Sequence, residues 1–231
     1  MTPTVTVSLW WLATIAGHLV LSSNGARRRL GQALGERGFS GVYSLVALAT
    51  FVPLGIVYAR ARHTGDLWWN GSNVSSVPTF VLMALGLFML TQSLFRPAPS
   101  AMGKGASATI AALGVTRITR HPLSMGFWFF GVAHMIVNGF ATDLVFFGGW
   151  VVFVTLTTWH QDSRKRAASA DYARFWSETS FVPFVAMLRG QQSLVTALRE
   201  LKFLAVLVAA ALFVLLVYFH NAWFGGVVWD R

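Results

Sequence analysis

The sequence predicts an all-α fold, a polytopic transmembrane helical bundle of about six spans. Three observations predict it. Hydrophobic residues make up 55% of the 231 residues and charged residues only 11%, where a soluble domain carries about a quarter. Mean hydropathy is +0.58. Apolar segments recur six times at about the length, roughly 20 residues, that a hydrocarbon core of about 30 Å requires. No shift in composition divides the chain, so residues 1–231 read as one membrane domain. Cysteine is absent, which excludes disulfides, thiolate metal sites, covalent c-type haem attachment and cysteine catalysis.

The first span covers residues 5–23. No basic stretch precedes it and no convincing small-residue cleavage site follows, so it reads as a retained helix rather than a signal peptide. The second, 41–59, follows a cluster of arginines. The third, 77–95, ends at Arg96-Pro97. The fourth, 122–140, opens on Pro122, a residue suited to the first turn of a helix. Only Ala141, Thr142 and Asp143 separate it from the fifth, 144–160, so the two should form a tight hairpin with Asp143 as a helix N-cap. The fifth is the shortest. The sixth covers 203–220. Stretch 96–119 begins as irregular loop at Arg96-Pro97-Ala98-Pro99. Residues 161–202 are polar, then amphipathic, and read as chain lying on or dipping into the cytoplasmic interface.

Charge orders these spans. The net charge is +10, with 18 Lys and Arg against 8 Asp and Glu. Arg27, Arg28, Arg29 and Arg37 fall in the first connection. Arg96, Lys104, Arg117 and Arg120 fall in the third. Arg164, Lys165, Arg166, Arg174, Arg189, Arg199 and Lys202 fall in the fifth. Only Arg60, Arg62 and Arg231 lie on the other side. Basic residues mark cytoplasmic loops, so both termini should be non-cytoplasmic. The charge implies contact with anionic lipid headgroups. Nucleic acid is not expected, because no helix or tail concentrates the charge.

Ionisable groups inside a bilayer are functional candidates. Of 6 histidines, His18 and His134 lie within spans. Each is either a core histidine bonded to a neighbouring carbonyl or an axial ligand to haem, a cofactor suited to neutral imidazoles in an apolar, aromatic-rich bundle. The span boundaries put the two about 10 Å apart in depth, an offset that helix tilt would have to absorb. His121 precedes Pro122 and lies about 20 Å from His134 along the helix. With Arg117 and Arg120 it suits an anion such as a haem propionate or lipid phosphate, or else simple interfacial anchoring. His160 is followed by Asp162 and Arg164, and that carboxylate could fix its tautomer. His63 and His220 read as loop and helix-end residues. Trp10, Trp11, Trp68, Trp69, Trp223 and Trp229 fall near span ends, where tryptophan anchors at the interface. Aromatic residues from Phe127 to Phe153 line either lipid or a pocket for a macrocycle or polyene. The chain has no nucleotide-binding glycine loop, no HExxH, no Gly-x-Ser-x-Gly and no intramembrane acid pair.

Several fragments together resemble the NnrU family of bacterial membrane proteins. They are Gly17-His18-Leu19 with Arg28, Leu34-Gly35-Glu36-Arg37, Tyr43-Ser44-Leu45, Ile118-Thr119-Arg120-His121-Pro122 with Gly126, Ala133-His134, His160 to Arg164, Thr179 to Phe184, and His220 to Gly225. The resemblance implies a multi-pass protein of the bacterial inner membrane, linked to denitrification and nitric oxide metabolism. It extends to a plant relative, 15-cis-zeta-carotene isomerase, which implies a b-type haem on His18 and His134 and a redox-gated cis–trans isomerisation of an apolar polyene. His121 and His160 match further histidines of that relative. An alternative is a non-enzymatic factor associated with a nitric oxide reductase. The Arg-His-Pro-x-x-x-Gly segment also resembles isoprenylcysteine carboxyl methyltransferases. Their Glu pair is missing here, with Asp162 standing near that place, so a lipid-substrate methyltransferase is the third reading.

Overall fold

The computed structural model describes residues 1–71, 73–101 and 110–224. These form an all-α bundle with a single two-stranded ribbon at one end. Lys104, Arg231 and Trp229 lie outside the described residues.

Helix α1 spans Pro3–Ser22. Thr2 caps it by accepting from the Val5 amide, and Pro3 takes the first helical position. Ser23 ends α1 and at once caps the next helix, α2 (Asn24–Ala61), accepting from the Ala26 amide. Helix α2 is 38 residues long and breaks at Gly35, where φ is 71°. That left-handed backbone costs glycine little. The break divides α2 into a basic arm carrying Arg27, Arg28 and Arg29 and an apolar part. The connection expected before residue 41 is therefore helical rather than loop. Its Arg, Leu, Gln, Ala and Glu residues are strong helix formers, which an apolar-run criterion overlooks.

Strand β1 (Leu67–Asn70) precedes α3 (Asn73–Phe95). After the short α4 (Val115–Ile118) comes α5 (Pro122–Val137), then β2 (Asn138–Phe140) and α6 (Ala141–Ala168). Strands β1 and β2 pair antiparallel. The fourth span is thus shorter than its apolar run, because residues 138–140 leave the helix to pair with β1. Conversely, the fifth span, expected to be the shortest, is a 28-residue helix. Its polar continuation beyond His160 stays helical until Ser169.

Five helices are long and apolar enough to cross a membrane: α1, α2, α3, α6 and α10 (Phe203–Phe224); α5 is apolar but shorter. The protein is accordingly a polytopic membrane protein. Exposed apolar side chains such as Leu45, Leu48, Phe203, Leu204 and Val214 cover surfaces suited to lipid.

At the ribbon end, Asp143 is fully buried. It does not cap α6, which starts two residues earlier. It accepts from Tyr58 Oη at 3.0 Å, from the His63 amide at 3.1 Å and from His63 Nδ1 at 2.8 Å. His63, read as a loop residue, is thereby tied to the bundle while its side chain stays exposed. Thr142 joins Thr4 and Thr64 through hydroxyl contacts of 2.9 and 3.1 Å.

At the other end, α7 (Ala170–Glu178), α8 (Val185–Leu188) and α9 (Leu194–Arg199) lie across the basic side of the bundle. Tyr172 and Phe175 are buried, whereas Val182, Leu188 and Val195 are exposed. One face of this segment therefore packs on protein and the other presents apolar groups outward.

Helices α3 and α5 approach closely at two glycines. A Cβ on Gly126 would fall 2.9 Å from the Gly86 carbonyl oxygen and 3.1 Å from Leu90 Cβ. Small residues permit such backbone approach between membrane helices. Gly126→Val should lower the midpoint of thermal unfolding in detergent, by about 1–3 kcal/mol of overpacking. Gly25→Ala, where a Cβ meets nothing within 4 Å, should leave it unchanged.

Candidate functional site

A cavity of about 1020 Å³ opens at the basic end, between α1, α2, the start of α5 and α6. Its apolar wall is aromatic. The Trp150 ring is sandwiched between Phe51 (centroids 5.4 Å apart, planes at 20°) and Phe127 (5.0 Å, 13°). Phe153 meets Phe51 edge-on at 5.4 Å. Trp150 and Phe153 are three apart on α6 and so share a face. Behind them lies Trp11, which donates Nε1–H to the Phe146 carbonyl at 3.1 Å and is only 3% exposed. Trp11 is thus a core residue rather than an interfacial anchor. Gly149 makes room for it, since any Cβ there would collide with the indole.

Three histidines line this cavity: His18, His121 and His160. His18 stands edge-on to Phe153 at 5.1 Å. Tyr43 Oη lies 2.7 Å from its Nδ1 and 2.9 Å from its Nε2. One oxygen so near both nitrogens sits off the axis of either lone pair, and such bonds weaken steeply with angle. His160 Nδ1 is 3.2 Å from Ser22 Oγ. Its expected carboxylate partner, Asp162, turns elsewhere.

Asp162 is the centre of a buried polar cluster. Its Oδ2 accepts from Arg120 Nε at 2.7 Å. Its Oδ1 accepts from His121 Nε2 at 2.8 Å and from Tyr172 Oη at 2.6 Å. Arg120 also donates to the Thr179 carbonyl at 2.9 Å. With Arg120 balancing Asp162, burial outweighs the carboxylate and holds the His121 pKa below its usual 6.5. The contact with the Asp162 carboxylate puts a proton on Nε2. Burial and Asp162 likewise push the Tyr172 hydroxyl upward.

The arginines expected beside His121 are therefore committed. Arg120 is 8% exposed and serves Asp162. Arg117 forms a two-pronged pair with Glu200, at 2.8 and 2.9 Å, and donates to Gln192 at 2.7 Å. That bonding lowers the Glu200 pKa. Neither arginine lines the cavity. The cations that do are Arg27, Arg164 and Lys165. Arg164 lies one turn after His160, on the same helix face, and that spacing was the available signal.

His134 lies elsewhere. Its Nδ1 bonds the Phe130 carbonyl at 2.8 Å, its ring stacks on Phe147 at 4.6 Å, and His220 is 6.5 Å away. It is not among the residues lining the cavity. His18 contacts Phe153 and His134 contacts Phe147, six residues apart on α6 and so about 9 Å in helix rise. The aromatic layer containing Trp150 lies between them. The depth offset implied by the span boundaries is thus present in the fold, and the two histidines do not meet.

The family described as NnrU protein matches residues 5–228. The chain belongs to the NnrU family. NnrU relatives among curated proteins include the chloroplastic 15-cis-zeta-carotene isomerase of Arabidopsis thaliana, 25% identical over 180 residues, covering 76% of this chain and 49% of that protein. The enzyme of the same name from Zea mays is 23% identical over 187 residues, covering 79% and 51%. The chain thus spans about half the length of the curated relatives it matches. No solved structure matches.

Removing the Asp162 charge strands a buried arginine. Asp162→Asn should cost about 3–5 kcal/mol, read as a large fall in the midpoint of thermal unfolding, whereas Tyr172→Phe should cost about 1 kcal/mol. His121 adds a pH dependence. Its folded pKa is depressed, so the unfolded chain protonates first as pH falls. Its contribution is complete above about pH 6.5 and declines below it. Melting curves from pH 7.5 to 5 should show that decline, and His121→Gln should make it shallower.

Proposed function

We propose that this NnrU protein is a membrane-embedded cis–trans isomerase of an apolar polyene, zeta-carotene being the model substrate. The aromatic wall of the cavity carries this reading. Phe51, Phe127, Trp150 and Phe153 offer flat, apolar contact to a conjugated chain, in a cavity whose volume matches the upper range of small-molecule sites. The similarity to proteins named 15-cis-zeta-carotene isomerase supports the substrate class.

A b-type haem in this cavity would be held by His18, which lines it beside Tyr43 and Phe153, and by Arg27, Arg164 and Lys165, cations suited to propionates. His134 does not fit as a second ligand in this arrangement, because aromatic side chains intervene. A bound haem supplies a redox-switchable iron that eases rotation about a double bond. The chain's own residues do the rest. Tyr43 and Phe153 flank the His18 ring edge-on. The Phe51–Trp150–Phe127 stack excludes water and sets the plane in which the polyene lies. His121, held by Asp162, borders the wall beside Pro122.

Detergent-purified protein, reconstituted with haem and reduced with dithionite, should deplete 15-cis-zeta-carotene, followed by chromatography of the isomers. Trp150→Ala should lower turnover at least tenfold, and His18→Ala should abolish it and change the Soret spectrum. Complete absence of isomerisation in a protein with an intact haem spectrum would refute the proposal.

A further inference from the structure

We infer that the cavity holds an amphipathic anion, with its apolar body on the aromatic wall and its carboxylate or phosphate on Arg27 and Arg164. The inference rests on assigning the cavity as the working site of the proposed isomerase, and adds a charge requirement that a hydrocarbon polyene does not have.

Three observations carry it. First, the cavity is lined by Arg27, Arg164 and Lys165, and among the described residues no Asp or Glu lines it. A bundle with few acids could show this by chance on its surface, but here the cations share a cavity with Phe127, Trp150 and Phe153. Second, Arg164 Nε is buried and has no hydrogen-bond partner among the described residues. A buried guanidinium nitrogen left without an acceptor is costly, and an acceptor entering the cavity relieves that cost. Third, nearby acids are engaged or distant. Asp162 is spent on Arg120, His121 and Tyr172. Glu36 meets Arg27 at only 3.4 Å with its own side chain 74% exposed, a geometry worth little in solvent. Lys165 donates to the Pro99 and Ser100 carbonyls, which places its ammonium at the cavity's edge.

A charged head at one end of an apolar body matches this layout. Two sources share that chemistry: the propionates of a haem and the headgroup of an acidic lipid. An apolar molecule without the head would satisfy the wall and leave Arg164 unpaired.

The test is equilibrium binding of cis-parinaric acid, a fluorescent conjugated polyene with a carboxylate, to the full-length protein in nanodiscs of neutral phosphatidylcholine. Its methyl ester is the uncharged control. The acid should bind about tenfold or more tightly than the ester, the scale of one charge-assisted hydrogen bond. Arg164→Gln and Arg27→Gln should each erase much of that preference while ester binding persists, which also verifies that the variants fold. Competitors then identify the source. Displacement by haemin, weaker for haemin dimethyl ester, assigns the head to the tetrapyrrole. Displacement by phosphatidic acid, weaker for diacylglycerol, assigns it to lipid. Equal binding of acid and ester by the unsubstituted protein overturns the inference. Isomerase turnover is measured separately, so failure of that activity and failure of the charge preference are distinguishable.

Discussion

The carboxylate of Asp162 is the contact on which the basic end of the molecule depends. It sits on α6 and accepts from α7, the next helix, and from Arg120 and His121, 42 and 41 residues earlier, so a distant segment and two consecutive helices meet at one side chain. Apolar contact contributes as well, through buried Tyr172 and Phe175 and the cluster of Val115, Ile118, Met125 and Ala197, but it is non-directional. A satisfied polar cluster holds these pieces with direction as well as strength. Arg120 then reaches on to the carbonyl of Thr179, and Ser100 Oγ donates to the carbonyl of Arg120. The peptide from 96 to 101 and the cap from 170 to 199 are thereby fixed relative to the cavity they border.

The opposite end uses a second carboxylate with the same logic and a different outcome. Asp143 ties Tyr58 and His63 to the start of α6 next to the β1–β2 ribbon. Between the two polar ends lies an aromatic layer whose members come from α1, α2, α5 and α6. That layer separates the environment of His18 from the environment of His134. The fold therefore keeps its two intramembrane imidazoles in different compartments, one open and basic, the other enclosed by Phe130 and Phe147.

Much of this architecture could be read from the sequence because hydropathy has a direct spatial meaning in a membrane chain. Six apolar runs gave the number and order of the main helices, five of them long enough to cross a membrane. The helical arm before Gly35 was hidden because its residues are polar, and helix propensity without apolar periodicity is a weak signal. The end of α5 was overlooked because the apolar run was carried to Phe140 across Asn138-Gly139, itself a helix-ending signal, and the pairing that takes up these residues comes from a strand nearly 70 residues earlier. At the site, His18, His121 and His160 were identifiable as chemistry-bearing residues. Their partners were not. Asp162 lies two residues from His160, and sequence proximity suggested that pair, yet two residues on a helix point to different faces. The same error of adjacency assigned Arg117 and Arg120 to an anion, when each already had a carboxylate brought from elsewhere by the fold.

The stack of Phe51, Trp150 and Phe127 lines the same cavity as Arg27 and Arg164. Rings packed face to face leave one another few rotamers, so this surface keeps its shape with or without a guest. Recognition there is then a matter of fitting a fixed template, and molecules of one composition but different outline would be told apart by shape alone.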